Sequence, residues 1–284
     1  MEIELNLNES IHKNASNYFE KAKKAKAKAE KIREAIKLVE QKIKELESKQ
    51  KIEEKNKPIA KRPREWYEKF HWFFSSEGFL VIAGRDANTN ELLISKYMTP
   101  GDLYFHADIY GAAHCIIKTE GKAPGEQTLK EAATFAAVFS KAWQQGLAAV
   151  DVYSVKPEQV SKKAPSGESL ARGAFMIYGK RNWFKNTPLK FAIGIEKFGN
   201  YYRVISGPPE AIEKKALISF TVLQGKNKKS EVAKQLKSAF EKSENCQISI
   251  DEIMQMLPAD NIEVITTRTK TISADAILKP GGQT

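Results

Sequence analysis

Three side chains near the middle of the chain have types and spacing that could do acid–base or metal chemistry. In His106-Ala107-Asp108 the imidazole and the carboxylate are two positions apart, so on a strand both would face one side. His114 follows closely. Such a set could move a proton or hold a cation. Without a cysteine or a helical pair of histidines it is a weak metal signal, and no metal is expected. The structural alternative bonds His106 to a neighbour and has Asp108 cap the turn at Gly111. Gly84-Arg85-Asp86 follows an apolar run, but no further glycines arrive at the offsets of a phosphate loop or a dinucleotide fingerprint. Ser161 and Ser166 lie among lysines with no histidine beside them in sequence, which disfavours a serine nucleophile.

The segment after Val155 is more informative. Ser161 to Glu168 is a polar loop with adjacent Lys162 and Lys163 and small residues that permit close backbone approach. Lys156, Arg172, Lys180, Arg181 and Lys185 flank it, with Trp183 and Phe184 interleaved. Cations neutralise phosphates, and exposed aromatics stack on unpaired bases. The formal charge is +11, and it is unevenly spread. Residues 18–72 hold 18 Lys/Arg against 10 Glu, and residues 156–190 hold 8 against 2, whereas residues 73–155 hold 6 against 9. Two local basic runs are the footprint of a nucleic-acid binder. A solvated helix face is the competing reading of the first run.

The elements that must position these residues begin with a long helix over residues 15–50. Tyr18, Ala22, Ala25, Ala29, Ile32, Ile36, Val39, Ile43 and Leu46 alternate steps of four and three, a heptad seam that needs a partner. A second helix of the chain, another copy or a missing segment could supply it. Pro58 and Pro63 mark a hinge over 57–64. The aromatic stretch Glu65–Phe74 should dock on the domain that follows. Ser75–Gly78 reads as a turn. Strands are predicted over 79–83, 91–97, 103–107, 114–118, 148–153, 175–178, 189–195, 201–205, 216–224 and 262–266, the first two forming a hairpin. Helices are predicted over 129–145 and 231–241, with a helix or turn after Ile250. No apolar run approaches the ~18 residues of a membrane helix, and the polar, acidic N-terminus does not read as a signal peptide. Cys115 and Cys246 make neither a zinc site nor a disulfide framework.

Four motifs in order carry a family resemblance. Trp66–Glu91 (WYEKFHWFFSSEGFLVIAGRDANTNE), Pro100–Ala112 (PGDLYFHADIYGA), Gln159–Glu168 (QVSKKAPSGE) and Gly173–Asn182 (GAFMIYGKRN) resemble the NFACT-R domain of the NFACT family. Ile3–Ser10 and Asn14–Phe19 resemble the start of that family's middle coiled coil. The resemblance implies a ribosome-associated quality-control factor. Such a factor binds the large ribosomal subunit with its peptidyl-tRNA and recruits tRNA to extend a stalled chain. Peptide bonds form in the ribosome, so the chain would be a binder and not an enzyme. The coiled coil would reach toward a stalk-base protein or self-associate. The chain departs from the family in lacking its N-terminal NFACT-N domain, and in having Tyr110 and Phe105 where His and Val are common.

The expected architecture is α+β. A coiled-coil arm and hinge (1–64) precede an RNA-binding domain (65–206) and a C-terminal extension (207–284). The expected phosphate contacts are Arg85, Lys162, Lys163, Arg172, Lys180, Arg181 and Lys185, with Asp86, His106 and Asp108 shaping the site. The expected partners are large-subunit RNA and tRNA in the cytoplasm, with no cofactor and no membrane. The alternative is an RNA-processing or hydrolytic enzyme using Arg85, His106 and Asp108.

Overall fold

A computed structural model describes residues 4–6, 8–56, 63–163, 169–244 and 246–269. The loop residues 164–168, residues 57–62 of the predicted hinge and the tail beyond Thr269 lie outside them. The chain divides into two compact units, residues 1–60 and residues 61–284.

The first unit is one helix, α1 (Ile11–Asn56). The Ser10 hydroxyl accepts from the Lys13 amide at 3.3 Å, capping the first turn. Asn14 is buried and clasps the preceding segment, accepting from the Asn6 amide at 2.9 Å and donating to the Asn6 carbonyl at 3.0 Å. Tyr18 donates to the Glu4 carbonyl at 2.7 Å. Beyond these bonds Ile32, Ile36, Val39, Ile43 and Leu46 are exposed within the unit. A helix carrying such an apolar stripe fits a coiled coil.

The second unit is α+β, with antiparallel sheets. A six-stranded sheet has the order β1-β2-β4-β3-β5-β8. Its strands are β1 (His71–Phe74), β2 (Leu80–Ala83), β3 (Leu103–Ala107), β4 (Cys115–Lys118), β5 (Ala149–Val155) and β8 (Asn182–Pro188). The short β6 (Val160–Ser161) and β7 (Met176–Ile177) pair with each other. A four-stranded sheet has the order β10-β9-β11-β12, from β9 (Phe191–Phe198), β10 (Tyr201–Gly207), β11 (Ile218–Asn227) and β12 (Ile262–Thr269). This sheet joins strands from both sides of Gly207-Pro208.

The first sheet packs on α3 (Glu126–Val138). Ala132, Ala133, Ala136 and Ala137 are wholly buried, and small side chains let helix and sheet approach closely. Phe135 meets Phe73 at 4.7 Å and Phe139 at 4.8 Å, and Phe139 meets Phe191 of the second sheet at 5.6 Å. The helix is capped from a distance. Gly125 has no side chain to cap it, so the Glu77 carboxylate accepts from the Gly125 amide at 3.0 Å and the Thr128 amide at 3.3 Å. The hydrogen bond from the Thr128 hydroxyl is the main cause holding the Glu77 carboxyl below its usual pKa.

Arg203 of β10 ties the second sheet to the aromatic stretch. Its Nε donates to Glu196 at 2.7 Å, and its Nη1 donates to the Tyr67 hydroxyl at 3.0 Å. Glu68 lies 3.9 Å away, and the guanidinium sits over the Trp72 and Phe198 rings at 4.6 and 3.9 Å. The Glu65–Phe74 stretch therefore docks as expected.

Two of the predicted elements come out differently, and strands β1 and β8 and a helix over Pro209–Lys215 were not predicted. Glu91–Tyr97 is not a strand. It ends α2 (Ala87–Leu92) and continues as a π-helical turn, Leu93–Tyr97. Asp86 dictates this, because its side chain accepts from the Thr89 amide at 2.8 Å and starts a helix where the apolar pattern suggested a strand. The hairpin is instead β1–β2, turning through Ser75–Gly78. The predicted 129–145 helix breaks after Val138, and Ser140 caps a separate turn, α4 (Lys141–Gln144).

Candidate nucleic-acid interface

Arg85 stands where β2 runs into α2. Its Nη2 donates to the backbone carbonyls of Phe70 at 3.0 Å and Glu68 at 3.3 Å, which ties the loop to the turn that precedes β1. Asp86 is the helix cap, and Thr89 hydrogen bonds hold its carboxyl low. β3 ends at Ala107, so strand alternation does not carry His106 and Asp108 to one shared face. Asp108 is exposed, and its charge acts on Tyr153.

His114 has a fixed tautomer. Its Nε2 is 2.8 Å from the Gly173 carbonyl, which only accepts, so the proton sits on Nε2. Nδ1 then accepts from the Tyr104 hydroxyl. Burial lowers its pKa to about 4 and that of His106 to about 3, so both rings are neutral at pH 7. His114 thereby pins the segment around Gly173 to the sheet.

Other groups hold that segment as well. The Gly173 amide donates to Glu91 at 2.8 Å. Arg172 donates to Asn88 at 3.1 Å. Lys162 pairs with Glu91 at 2.5 Å, reaches the carbonyls of Ala171 and Ala174, and lies 4.9 Å over the Phe175 ring. Its ammonium is thus paired with Glu91 at the surface, the side chain staying 42% exposed. Gly173 has φ +75°, and a Cβ there would meet the Ala87 carbonyl oxygen at 2.6 Å. Gly173→Ala should cost about 1–3 kcal/mol and loosen the segment, read as a lower Tm and faster amide exchange at Gly173's neighbours.

Between these parts lies a cleft of about 770 Å³. Arg85, Lys141, Arg172 and Lys229 line it, with Asp86 its one carboxylate among the lining residues. His71, His106 and His114 line it too. Of the expected residues, Arg85, Asp86, His106 and Arg172 come together here, and Asp108 does not. Lys141 and Lys229 were not anticipated. Lys141 follows the Ser140 cap, and its stem lies where a Cβ on Gly111 would be. Its ammonium sits 4.9 Å over the Tyr110 ring. Lys229 opens α6 (Lys229–Glu244), far along the chain.

A second basic surface lies on β5 and β8. Tyr153 is the register partner of His106 on one side and of Trp183 on the other, so the three share a face. Arg181 stacks 4.4 Å over Tyr153, and Lys185 lies 4.2 Å over Trp183 while pairing with Asp151 at 2.7 Å. Trp183 is exposed, as an edge strand permits. Lys163 and Lys180 are exposed near β6 and β8.

Among the described residues no three His, Cys, Asp or Glu side chains are placed to hold a metal ion. No helix of the described residues is long and apolar enough to cross a membrane.

Residues 69–179 match the family model described as the NFACT protein RNA binding domain. The match takes in Arg85, Lys141 and Arg172 of the cleft. The archaeal Rqc2 homolog aRqcH of Methanocaldococcus jannaschii is 43% identical over 210 residues, covering 74% of this chain and 31% of that protein. Ribosome quality control complex subunit NEMF of Homo sapiens is 48% identical over 119 residues, covering 42% of this chain and 11% of that protein. The chain thus spans about a third or less of these relatives. A solved structure, the C-terminal of the fibronectin/fibrinogen-binding protein from Streptococcus suis, aligns with 25% identity and a TM-score of 0.36, covering 47% of this chain and 49% of that one. Residues 69–179 thus belong to the NFACT protein RNA binding domain family, and the chain's similarity to an archaeal relative extends over 74% of its length.

Proposed function

We propose that the chain is an RNA-binding part of ribosome-associated quality control, acting in the cytoplasm on the large ribosomal subunit with its peptidyl-tRNA, on tRNA, or on both. The observation that carries this reading is the agreement of family and site: the segment matching an RNA-binding family supplies three of the cleft's four cations. Two surfaces divide the work. The cleft offers Arg85, Lys141, Arg172 and Lys229 to phosphates, and the β5–β8 face offers Arg181 and Lys185 around an exposed Trp183. Asp86, His106 and His114 shape the cleft without reacting.

This is a binding role and not an enzymatic one. The enzymatic alternative needs Arg85, His106 and Asp108 to converge. Arg85 and His106 line the cleft, Asp108 does not, and a ring with a pKa of about 3 is a poor base at pH 7. The exposed apolar stripe of α1 suits a helical partner, either a stalk-base protein or a second copy. Crosslinking of the chain to large ribosomal subunits, with the RNA sites mapped, tests the reading.

A further inference from the structure

The cleft combines two features that a plain phosphate-binding surface does not need. The first is a set of crowded basic groups from three elements: His71 on β1, Arg85 after β2 and Lys229 opening α6. The charges of Arg85 and Lys229 both act on His71, and that of Arg85 acts on Lys229, so their charged forms disfavour one another. Burial is the larger cause at each of them and disfavours the charged form in the same direction. The carboxylates acting against it are Asp260 on Lys229, and Asp86 and Glu68 on Arg85. In addition, His71 Nδ1 and Arg85 Nε are shut away from solvent without a hydrogen-bond partner. Buried polar atoms are rarely left so, and an anion in the cleft would offset the crowding of the Arg85 and Lys229 charges.

The second feature is aromatic. Tyr110 lines the same cleft and is 88% exposed, although aromatic rings usually bury most of their surface. Ile109, Phe139 and Phe175 add apolar lining. The cleft's volume of about 770 Å³ falls in the range of small-ligand sites. A ligand that brings an anion and a flat ring together is a nucleotide.

We propose that the cleft takes a single unpaired nucleotide of a bound RNA strand, its phosphate among Arg85, Arg172 and Lys229 and its base against Tyr110. This rests on the RNA-binding reading and adds a preference: the strand must offer an unstacked base, so single strands and loops bind and continuous duplex does not.

The test uses the full chain and fluorescence anisotropy. The probes are tRNA, a short single-stranded oligoribonucleotide with a 5′-hydroxyl, the same strand with a 5′-phosphate, and its blunt duplex. The single strand should bind about tenfold or more tightly than the duplex. Lys229→Ala and Tyr110→Ala should each weaken single-strand binding by about tenfold. Lys130→Ala removes the same charge from an exposed site on α3 and should change it less than about twofold. Tyr110 is exposed, so its variant reports even if Lys229→Ala fails to fold. Tight binding of either single strand that both Lys229→Ala and Tyr110→Ala weaken supports the proposal, and a preference for the 5′-phosphate then assigns the cleft to a strand end. Equal binding of duplex and single strand, or equal losses from Lys229→Ala and Lys130→Ala, overturns it. If tRNA binds while Tyr110→Ala and Lys229→Ala hold the single strand as the unaltered chain does, the cleft assignment falls and the RNA-binding reading stands. If the unaltered chain binds neither tRNA nor oligonucleotide, both fall.

Discussion

Arg203→Ala is expected to lower the stability of the globular unit by about 3–5 kcal/mol. The guanidinium is buried among Glu196, Glu68 and the Tyr67 hydroxyl, with the Trp72 and Phe198 rings against its faces. Removing it takes away the guanidinium that Glu196 and Glu68 share in a largely buried setting, and that penalty exceeds the net worth of the bonds themselves. It also opens a gap where β10 meets the aromatic stretch. Arg203→Lys keeps the charge but loses the planar fork that reaches both Glu196 and Tyr67, so it should fall between the two. For a unit of this size the loss corresponds to a drop in Tm on the order of 10 °C. Urea unfolding of both variants checks this. A loss below about 1 kcal/mol for Arg203→Ala would mean that the two sheets hold together without it.

The second large effect is on RNA. Neutralising both basic surfaces at once, with Lys141→Ala and Arg172→Ala in the cleft and Arg181→Ala and Lys185→Ala on the β8 face, should weaken tRNA binding about a hundredfold or more at moderate salt. Each phosphate that is no longer neutralised lowers the slope of log affinity against log salt by about 0.7–0.9, so the slope should flatten by about 3. All four side chains reach the surface, and none bridges sheets as Arg203 does, so the fold should survive. Each pair alone should cost about tenfold, and the effects should multiply, because the two pairs share no bonding partner. Lys162 is kept unaltered in this set so that the segment carrying Arg172 stays in place. Its ammonium is committed to Glu91 and to the carbonyls of Ala171 and Ala174, and its removal would disturb the segment that carries Arg172. An unchanged slope in the fourfold variant would place the RNA elsewhere on the chain.

The residues differ in how much of this they reveal in sequence. The α1 heptad was legible because its signal is local and repeated, and a helix needs no distant partner to form its backbone bonds. The ends of β3 and β4 were legible for a similar reason, in short apolar runs bounded by turns. Glu91–Tyr97 misled because its apolar residues fit a strand, while the deciding signal, the Asp86 cap on Thr89, lay just upstream. Arg85, His106 and Arg172 were identified from their types and motifs, but their convergence depends on β2, β3 and the Gly173 segment meeting in space. Lys229 was missed altogether. It is far from Arg85 in sequence, and only the packing of α6 brings it to the cleft. The commitment of Lys162 to Glu91 was equally invisible, since the two residues are 71 positions apart.

The most direct measurement of the central claim is crosslinking of the full chain to purified large ribosomal subunits that retain peptidyl-tRNA, with the protein and RNA sites both mapped. Crosslinks are expected from the cleft and from the β5–β8 face to ribosomal RNA or tRNA, around Arg172 and Trp183, and they should disappear in the fourfold variant. Crosslinks confined to ribosomal proteins along α1, with none from the globular unit to RNA, would contradict it.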